Sequence, residues 1–166
     1  MHKPLICFFL VIFLISCDPN RVFDKYKSLP DGWHKDSVIS FSFENPDTTK
    51  VYDLFINIRN NNDYAFSNLY LITEMNFPNG KTIADTLEYE MAYPNGQWMG
   101  EGFTDLKESK LWYREKVGFG ETGEYLFKIR HAMRKNGEIN GVENLKGITE
   151  VGFRIEEAIP QAKNSN

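Results

Sequence analysis

The sequence predicts an all-β protein, an antiparallel β-sandwich of the jelly-roll or Ig-like type that forms a single domain behind an N-terminal tether. Apolar and polar residues alternate with a period of two in six segments, as in strands that bury one face. Two Pro-Asn-Gly turn signals lie among these segments. No segment keeps a helical period over eleven residues, so the pattern favours packed sheets.

The N-terminal residues have the layout of a secretory signal. His2 and Lys3 give a basic start, and residues 5–15 form an uninterrupted apolar run. At about 1.5 Å rise per residue, a helix of that length falls short of the roughly 30 Å hydrocarbon core of a bilayer. We therefore predict that residues 1–16 are a signal peptide that is removed, and not a permanent transmembrane anchor.

The junction that follows, Leu14-Ile15-Ser16-Cys17, resembles the lipobox of bacterial lipoproteins. In those proteins the cysteine thiol takes a diacylglyceryl group, a peptidase cuts before it, and the new amine is usually acylated. A single fourteen-carbon chain binds membranes with K of about 10⁴ M⁻¹, so two or three chains hold a protein durably. The resemblance implies lipid attachment at Cys17, and the alternative is a free cysteine behind an ordinary signal peptide.

The mature chain has no pair of thiols, because Cys7 leaves with the signal peptide, and packing must stabilise the fold. The formal net charge of the full chain is −4 and no basic stripe is present, so nucleic acid is excluded as a partner. We predict a lipidated tether over residues 17–30, a β-sandwich domain over residues 31–159 and a loose tail over residues 160–166.

Alternation predicts six strands within the domain. They comprise residues 39–43, 52–58, 69–77, 87–91, 125–129 and 151–155. Phe-Pro-Asn-Gly at residues 77–80 and Tyr-Pro-Asn-Gly at residues 93–96 predict hairpin turns, because Asn-Gly tolerates positive φ and proline lacks a ladder donor. Residues 100–123 alternate less clearly and mix charges with aromatic side chains, so we expect an interaction surface there.

Aromatic residues are the candidates for that surface, since exposed rings serve as platforms for sugars and as anchors at protein interfaces. The candidates are Trp33, Trp98, Trp112 and Tyr113. The alternative is that the tryptophans fill the core between the sheets, which the absence of disulfides favours for Trp98 and Trp112.

Groups that could perform catalysis are few. The mature chain has two histidines, His34 and His131, which lie far apart and outside any metal-ligand spacing. Neighbouring carboxylates are explained by solvated strand faces. These pairs are Glu88/Glu90 and Glu156/Glu157. We therefore expect no enzyme activity, no catalytic or metal-binding residue, no cofactor and no small-molecule ligand.

Together with the lipobox, four motifs make the chain resemble the gliding motility lipoprotein GldH family of the Bacteroidota over nearly the whole mature length. They are Asp85-Thr86-Leu87, Ala92-Tyr93-Pro94-Asn95-Gly96-Gln97-Trp98-Met99-Gly100, His131-Ala132-Met133-Arg134 and Leu145-Lys146-Gly147-Ile148-Thr149-Glu150-Val151-Gly152-Phe153-Arg154-Ile155-Glu156. The last three, in this order, carry most of the specificity.

The resemblance implies an envelope lipoprotein needed for gliding over surfaces, a process tied to the type IX secretion system. The family has no assigned enzymatic activity or cofactor, and only the lipidated Cys17 carries over as a functional residue. The implied partners are a membrane, through the lipid, and other gliding or secretion proteins of the envelope. The periplasmic side of the outer membrane is favoured, with the inner membrane as the alternative.

Two other functions from different classes stay open at the level of sequence. A carbohydrate-binding lipoprotein of a glycan-uptake system would use Trp33 or the Trp98 loop as a platform, and it requires a coplanar pair of exposed aromatic rings. An envelope hydrolase would require two carboxylates that converge about 5 to 10 Å apart in a cleft.

Overall fold

The structure, a computed structural model, describes residues 18–44 and 47–159. The predicted signal peptide over residues 1–16, the lipid attachment residue Cys17 and the predicted tail over residues 160–166 lie outside the described residues.

Ten strands and no helix are present in the described residues, which confirms the all-β prediction. The strands are β1 (Arg21–Ser28), β2 (Trp33–His34), β3 (Ile39–Glu44), β4 (Val51–Asn60), β5 (Asn68–Asn76), β6 (Thr82–Glu90), β7 (Lys107–Gly118), β8 (Glu124–His131), β9 (Asn144–Leu145) and β10 (Ile148–Glu157). All six strands that alternation predicts are among them.

The strands form two four-stranded antiparallel sheets with the order of a jelly roll. The first sheet has the order β1-β10-β4-β7 and the second has the order β3-β8-β5-β6, while β2 and β9 form a separate short ladder. Without that short ladder, the first long strand pairs with the last, the second with the seventh, the third with the sixth and the fourth with the fifth. This nesting decides between the jelly-roll and Ig-like alternatives in favour of the jelly roll.

The core lies between the inner faces of the two sheets. Phe153 of β10 stacks on Phe127 of β8 with 4.1 Å between ring centroids, and Phe41 of β3 lies 6.2 Å from Phe153. All three side chains are buried, and each such burial stabilises the fold by about 1.5–3 kcal/mol. Alternation along the central strands thus supplies the packing that a chain without disulfides needs.

The predicted tether over residues 17–30 is wrong for most of its length, because Arg21–Ser28 is strand β1. This strand pairs with β10 from Arg21 to Ser28 with one irregularity at Val22, and Phe23 packs against Phe43 and Phe153 at 5.6 and 6.0 Å. None of the side chains of β1 is fully buried, so its sequence shows no clean alternation. The sandwich therefore begins at Arg21 and not at residue 31.

Strand β7 was also not predicted, because residues 100–123 alternate less clearly than the other segments. Its pairing with β4 changes register on both sides of Leu54, and Lys116 adopts a positive φ of 52°. Each irregularity shifts the following side chains relative to the faces of the sheet, which hides the period of two.

The two Pro-Asn-Gly turns have the same local structure but different roles. Gly80 and Gly96 both adopt positive φ, at 85° and 84°, and each donates to the carbonyl three residues before it. The turn at residues 77–80 joins β5 to β6, as predicted. The turn at residues 93–96 is closed only by a single bridge between Ala92 and Trp98, so the second hairpin is much shorter than expected.

The connections divide between two ends of the sandwich. The N-terminal end holds residues 18–20, 47–50, 77–81 and 119–123, together with residues 158–159. The opposite end, called the distal end below, holds residues 29–38, 61–67, 91–106 and 132–147. All the longer loops therefore lie at the distal end, away from the start of β1.

Candidate functional site

The structure separates the four predicted surface residues. Trp33 is completely buried, and its indole N–H donates to the carbonyl of Ser37 at 3.0 Å. Tyr113 faces the core, where its ring lies 5.2 Å from Phe127 and its hydroxyl donates to Asp85 at 3.0 Å. These two residues stabilise the core and belong to no surface, which corrects their assignment.

The other two candidates reach the surface at different places. Trp98 is half-buried, lies 6.0 Å from the Tyr64 ring and donates its indole N–H to Asn62 at 3.2 Å, so it fastens two distal loops together. Trp112 is 53% exposed and lies on the outer face of the first sheet, 4.4 Å from Phe55. The core position favoured for Trp112 from sequence is therefore wrong, because neighbouring residues of a strand point to opposite faces.

Charged side chains cover the outer face of this sheet, and Arg154 of β10 organises one group of them. Its guanidinium donates to Asp24 at 2.9 Å and to Glu156 at 2.5 Å, and it also pairs with Asp18. Burial opposes the charge of Arg154, but the carboxylates outweigh it and raise the pKa of the side chain above its ordinary value. Arg154 is therefore permanently charged, and its guanidinium N–H groups already donate to carboxylates of the same group.

A second group surrounds Arg59 of β4. Its guanidinium donates to Glu108 and Glu150, both at 2.5 Å, and lies 4.5 Å from the centre of the Tyr26 ring. Tyr26 donates its hydroxyl proton to Glu108 at 3.2 Å and accepts from the side-chain amide of Asn57 at 2.8 Å. Burial, helped by the charge of Glu108, raises the pKa of Tyr26 to about 12, so the phenol stays neutral.

Gly152 allows this second group to lie flat on the sheet. A Cβ atom at this position would lie 2.8 Å from two ring carbons of Tyr26 and 3.2 Å from Cβ of Asn57. The ring of Tyr26 therefore occupies the space that any other residue at position 152 would fill. Close approach of an aromatic ring is a standard reason for glycine inside a strand.

Trp112 lies beside these charged groups. Phe55 is buried although it is on the outer face, because Trp112 covers it and the ammonium group of Lys110 lies 4.0 Å from its ring centre. Lys110 also pairs with Glu156 at 2.6 Å. This arrangement was not predicted, although charged residues that alternate along β10 around Gly152 were a signal for it.

The histidine and glutamate side chains considered as catalytic candidates make contacts within the fold. His131 is buried, and its ring lies 5.5 Å from that of Trp33. Glu157 pairs with Lys50 at 2.8 Å, and Glu88 accepts from Asn68 at 2.9 Å, which lowers the pKa of that carboxyl. Among residues 18–44 and 47–159, no cluster of three or more His, Cys, Asp or Glu side chains could hold a metal ion.

The distal end carries a different kind of surface. Several large apolar side chains are exposed on its loops, and Phe103 is fully exposed. They are Val38, Tyr93, Phe103, Leu106 and Ile139. These five side chains lie on three loops of the same end of the sandwich, which makes the distal end a candidate for contact with another macromolecule.

The model of one protein family matches most of the chain. That family is described as GldH lipoprotein, and the match covers residues 21–155. The chain belongs to the GldH lipoprotein family.

Relatives within the GldH family agree over nearly their full lengths. The chain is 61% identical over 150 residues to the gliding motility lipoprotein GldH homolog of Christiangramia forsetii, covering 90% of this chain and 92% of that protein. It is 56% identical over 146 residues to the gliding motility lipoprotein GldH of Flavobacterium johnsoniae, covering 88% and 91%. The chain is thus a gliding motility lipoprotein of the cell envelope.

Likeness to solved structures is weak by comparison. A fructofuranosidase from Schwanniomyces occidentalis in complex with fructose aligns with a TM-score of 0.39 at 12% identity. The alignment covers 83% of this chain but only 34% of the enzyme. No functional argument follows from it.

The GldH resemblance rests largely on the distal end and on β10. Residues 92–100 and 131–134 belong to the distal loops or to the strand end beside them, and residues 145–156 run from β9 through most of β10.

Within the described part of the chain, no helix is long and apolar enough to cross a bilayer.

Proposed function

We propose that this GldH lipoprotein is a non-catalytic structural component of the gliding machinery associated with type IX secretion. A lipid on Cys17 would hold it in the envelope, on the periplasmic side of the outer membrane. The observation that carries this proposal is the exposure of large apolar side chains on the long loops of the distal end. A domain of this kind acts by contact with neighbouring proteins.

The arrangement of the two ends supports a role as a tethered interaction module. The chain enters β1 at the N-terminal end, so a lipid on Cys17 is attached far from the exposed apolar loops. Confinement to a membrane raises the effective concentration of the domain near other membrane-bound components. Weak contacts through side chains such as Phe103 and Ile139 then suffice for stable assembly.

The chemistry of the described residues supports a non-catalytic role. Carboxylates on the outer face of the first sheet are paired with Arg59 and Arg154, so their oxygens are already occupied by structural contacts. Burial of His131 lowers its pKa and removes it from any substrate in solution.

Complementation of a deletion strain tests the proposal. Deletion of the gene should abolish spreading and the display of surface adhesins, and the wild-type gene should restore both. The double substitution Phe103→Ser and Ile139→Ser should leave the protein folded and lipidated but fail to restore spreading. Tyr70→Ser, which removes an exposed ring from β5, is the matched control and should restore it. Normal spreading of the deletion strain would contradict the proposal, and full rescue by the double variant would exclude the distal contact surface.

The carbohydrate-binding alternative named Trp33 or the Trp98 loop as its platform, but Trp33 is buried and Trp98 is half-buried beside Tyr64. Trp112 is the most exposed of the three tryptophans and is therefore the ring on which this alternative depends. This ring is tilted by 52° relative to Phe55, and Phe55 is buried, so the pair does not form a flat two-ring platform. Calorimetric titration with envelope glycans tests the alternative directly. Binding that Trp112→Ala abolishes would favour it over a purely structural role.

A further inference from the structure

Asp18, the first described residue, is already fixed to the sandwich. Its carboxylate pairs with Arg154 and accepts the backbone N–H of Asn20 at 3.2 Å. Its carbonyl accepts the backbone N–H of Arg21 at 3.3 Å, and the carbonyl of Asn20 accepts from Glu157 at 2.8 Å. Side-chain and backbone contacts therefore hold the chain in place before β1 begins.

The partner of Asp18 is itself held rigidly. The side chain of Arg154 is only 15% exposed, and Asp24 and Glu156 bind its other donors. A lone surface ion pair contributes little to order, whereas a guanidinium fixed by several carboxylates has one well-defined position. Asp18 thus contacts a fixed group, not a mobile surface side chain.

Cys17 is bonded directly to Asp18, and consecutive Cα atoms lie 3.8 Å apart across a trans peptide. A lipid on Cys17 would therefore be attached within one residue of the folded surface. We propose that the lipid anchor joins the sandwich without a flexible linker, so that the N-terminal end lies on the lipid surface and the distal loops point away from it. The inference rests on lipid attachment at Cys17, which is part of the proposed function.

The side chains around the N-terminal end suit contact with lipid. Val22, Val51 and Ile159 are exposed there, with Val51 at 46% and Ile159 at 71%. Val51 and Ile159 lie close together, because the carbonyl of Val51 accepts the backbone N–H of Ala158 at 2.9 Å. Exposed aliphatic side chains beside a lipid anchor gain from entering the boundary between headgroups and acyl chains.

The geometry sets the height of the distal loops above the membrane. Strand β10 has ten residues and runs from one end to the other, which at about 3.3 Å per residue gives roughly 30 Å. A linkerless anchor keeps the exposed apolar loops at about that height. A partner on the same membrane must therefore extend at least as far from the lipid surface to meet them.

Spin labels at the two ends test this orientation. Cys7 is lost with the signal peptide and lipid blocks the thiol of Cys17, so one introduced cysteine is the only free thiol. Thr48→Cys places a label at the N-terminal end and Lys135→Cys places one in a distal loop, both at exposed positions. The lipidated protein is reconstituted in vesicles of phosphatidylethanolamine and phosphatidylglycerol that contain a nickel-chelating lipid.

Nickel in the headgroup layer should increase the spin relaxation rate of the label at position 48 several-fold more than that of the label at position 135. Equal relaxation of the two labels, or stronger relaxation at position 135, would overturn the proposal. Mass spectrometry of the mature protein and its flotation with vesicles report lipid attachment separately. Loss of attachment would therefore be recognised as a failure of the anchor and not of the orientation.

A linker insertion provides the control. Ten Gly and Ser residues inserted between Asp18 and Pro19 keep the residue after the cysteine but give the domain a flexible reach of about 17 Å. The difference in nickel-induced relaxation rate between the labels at positions 48 and 135 should then become smaller. The same ten residues added after Asn166 should leave this difference unchanged. If the insertion after Asp18 had no effect either, the native anchor would already be flexible and the proposal would be wrong.

Discussion

Replacement of Gly147 by alanine should destabilise the fold strongly, because this glycine combines positive φ with a close backbone contact. Its φ is 84°, and a Cβ atom there would lie 2.1 Å from the backbone N and 2.4 Å from Cα of Tyr64. The carbonyl of Gly147 also accepts the backbone N–H of Asn61 at 2.9 Å, which holds the two loops together. Neither neighbour can move without breaking the packing of the distal end.

Two effects contribute to the expected loss. A left-handed conformation costs an L-residue about 1–2 kcal/mol. Overpacking against backbone adds about 1–3 kcal/mol, since backbone atoms cannot rotate away as a side chain can. Gly147→Ala should therefore lower the free energy of unfolding by about 2–5 kcal/mol, a large part of the stability of a single domain.

Gly96→Ala is the matched control. Gly96 has the same φ of 84°, but nothing lies within 4 Å of the position of its Cβ. Only the conformational cost of about 1–2 kcal/mol applies there. Urea unfolding of the non-lipidated mature chain, followed by tryptophan fluorescence, measures both variants. Equal losses in the two variants would refute the argument that the contact with Tyr64 requires glycine.

Three further predictions concern the core and the outer face of the first sheet. Arg154→Ala should cost about 2–3 kcal/mol in urea unfolding, because it leaves clustered carboxylates without their cation, and an unchanged midpoint would contradict that role. Tyr113→Ala should cost about 3–5 kcal/mol and Trp112→Ala much less, and the reverse order would mean that these two side chains are assigned to the wrong faces. Burial lowers the pKa of His131 below its ordinary 6.5, so protonation favours the unfolded state. Stability should fall as the pH decreases through 6.5 towards the folded-state pKa, and His131→Asn should flatten this part of the profile.

The central strands were predictable from sequence because their environment is uniform. Along β8 and β10, alternate side chains face the core, so residues such as Phe127 and Phe153 produce a period of two. Edge strands β3 and β6 also alternate cleanly and were predicted, but edge strands β1 and β7 were not. β1 buries few side chains, and bulges in the pairing of β7 interrupt its alternation. A pattern that depends on burial disappears where a strand buries few side chains or has an irregular register.

The candidate surfaces show the same limit. Sequence identified Trp112 as a candidate but could not distinguish its exposed ring from the buried Trp33, since exposure depends on which face of a sheet a residue occupies. The groups around Arg59 and Arg154 join residues from several strands that are distant in the chain. No local pattern reports such contacts.

The sequence by itself determined the all-β class, the signal and lipid attachment motifs, and the resemblance to GldH lipoproteins, because each of these is written in local patterns of residues. Only the tertiary structure decided the jelly-roll order, the inclusion of β1 in the sandwich and the position of Asp18 against Arg154. The physical reason is that strand pairing and charge clustering bring together residues far apart in the chain. The antiparallel pairing of the strands also decides that the long loops lie at the end of the sandwich opposite to Asp18.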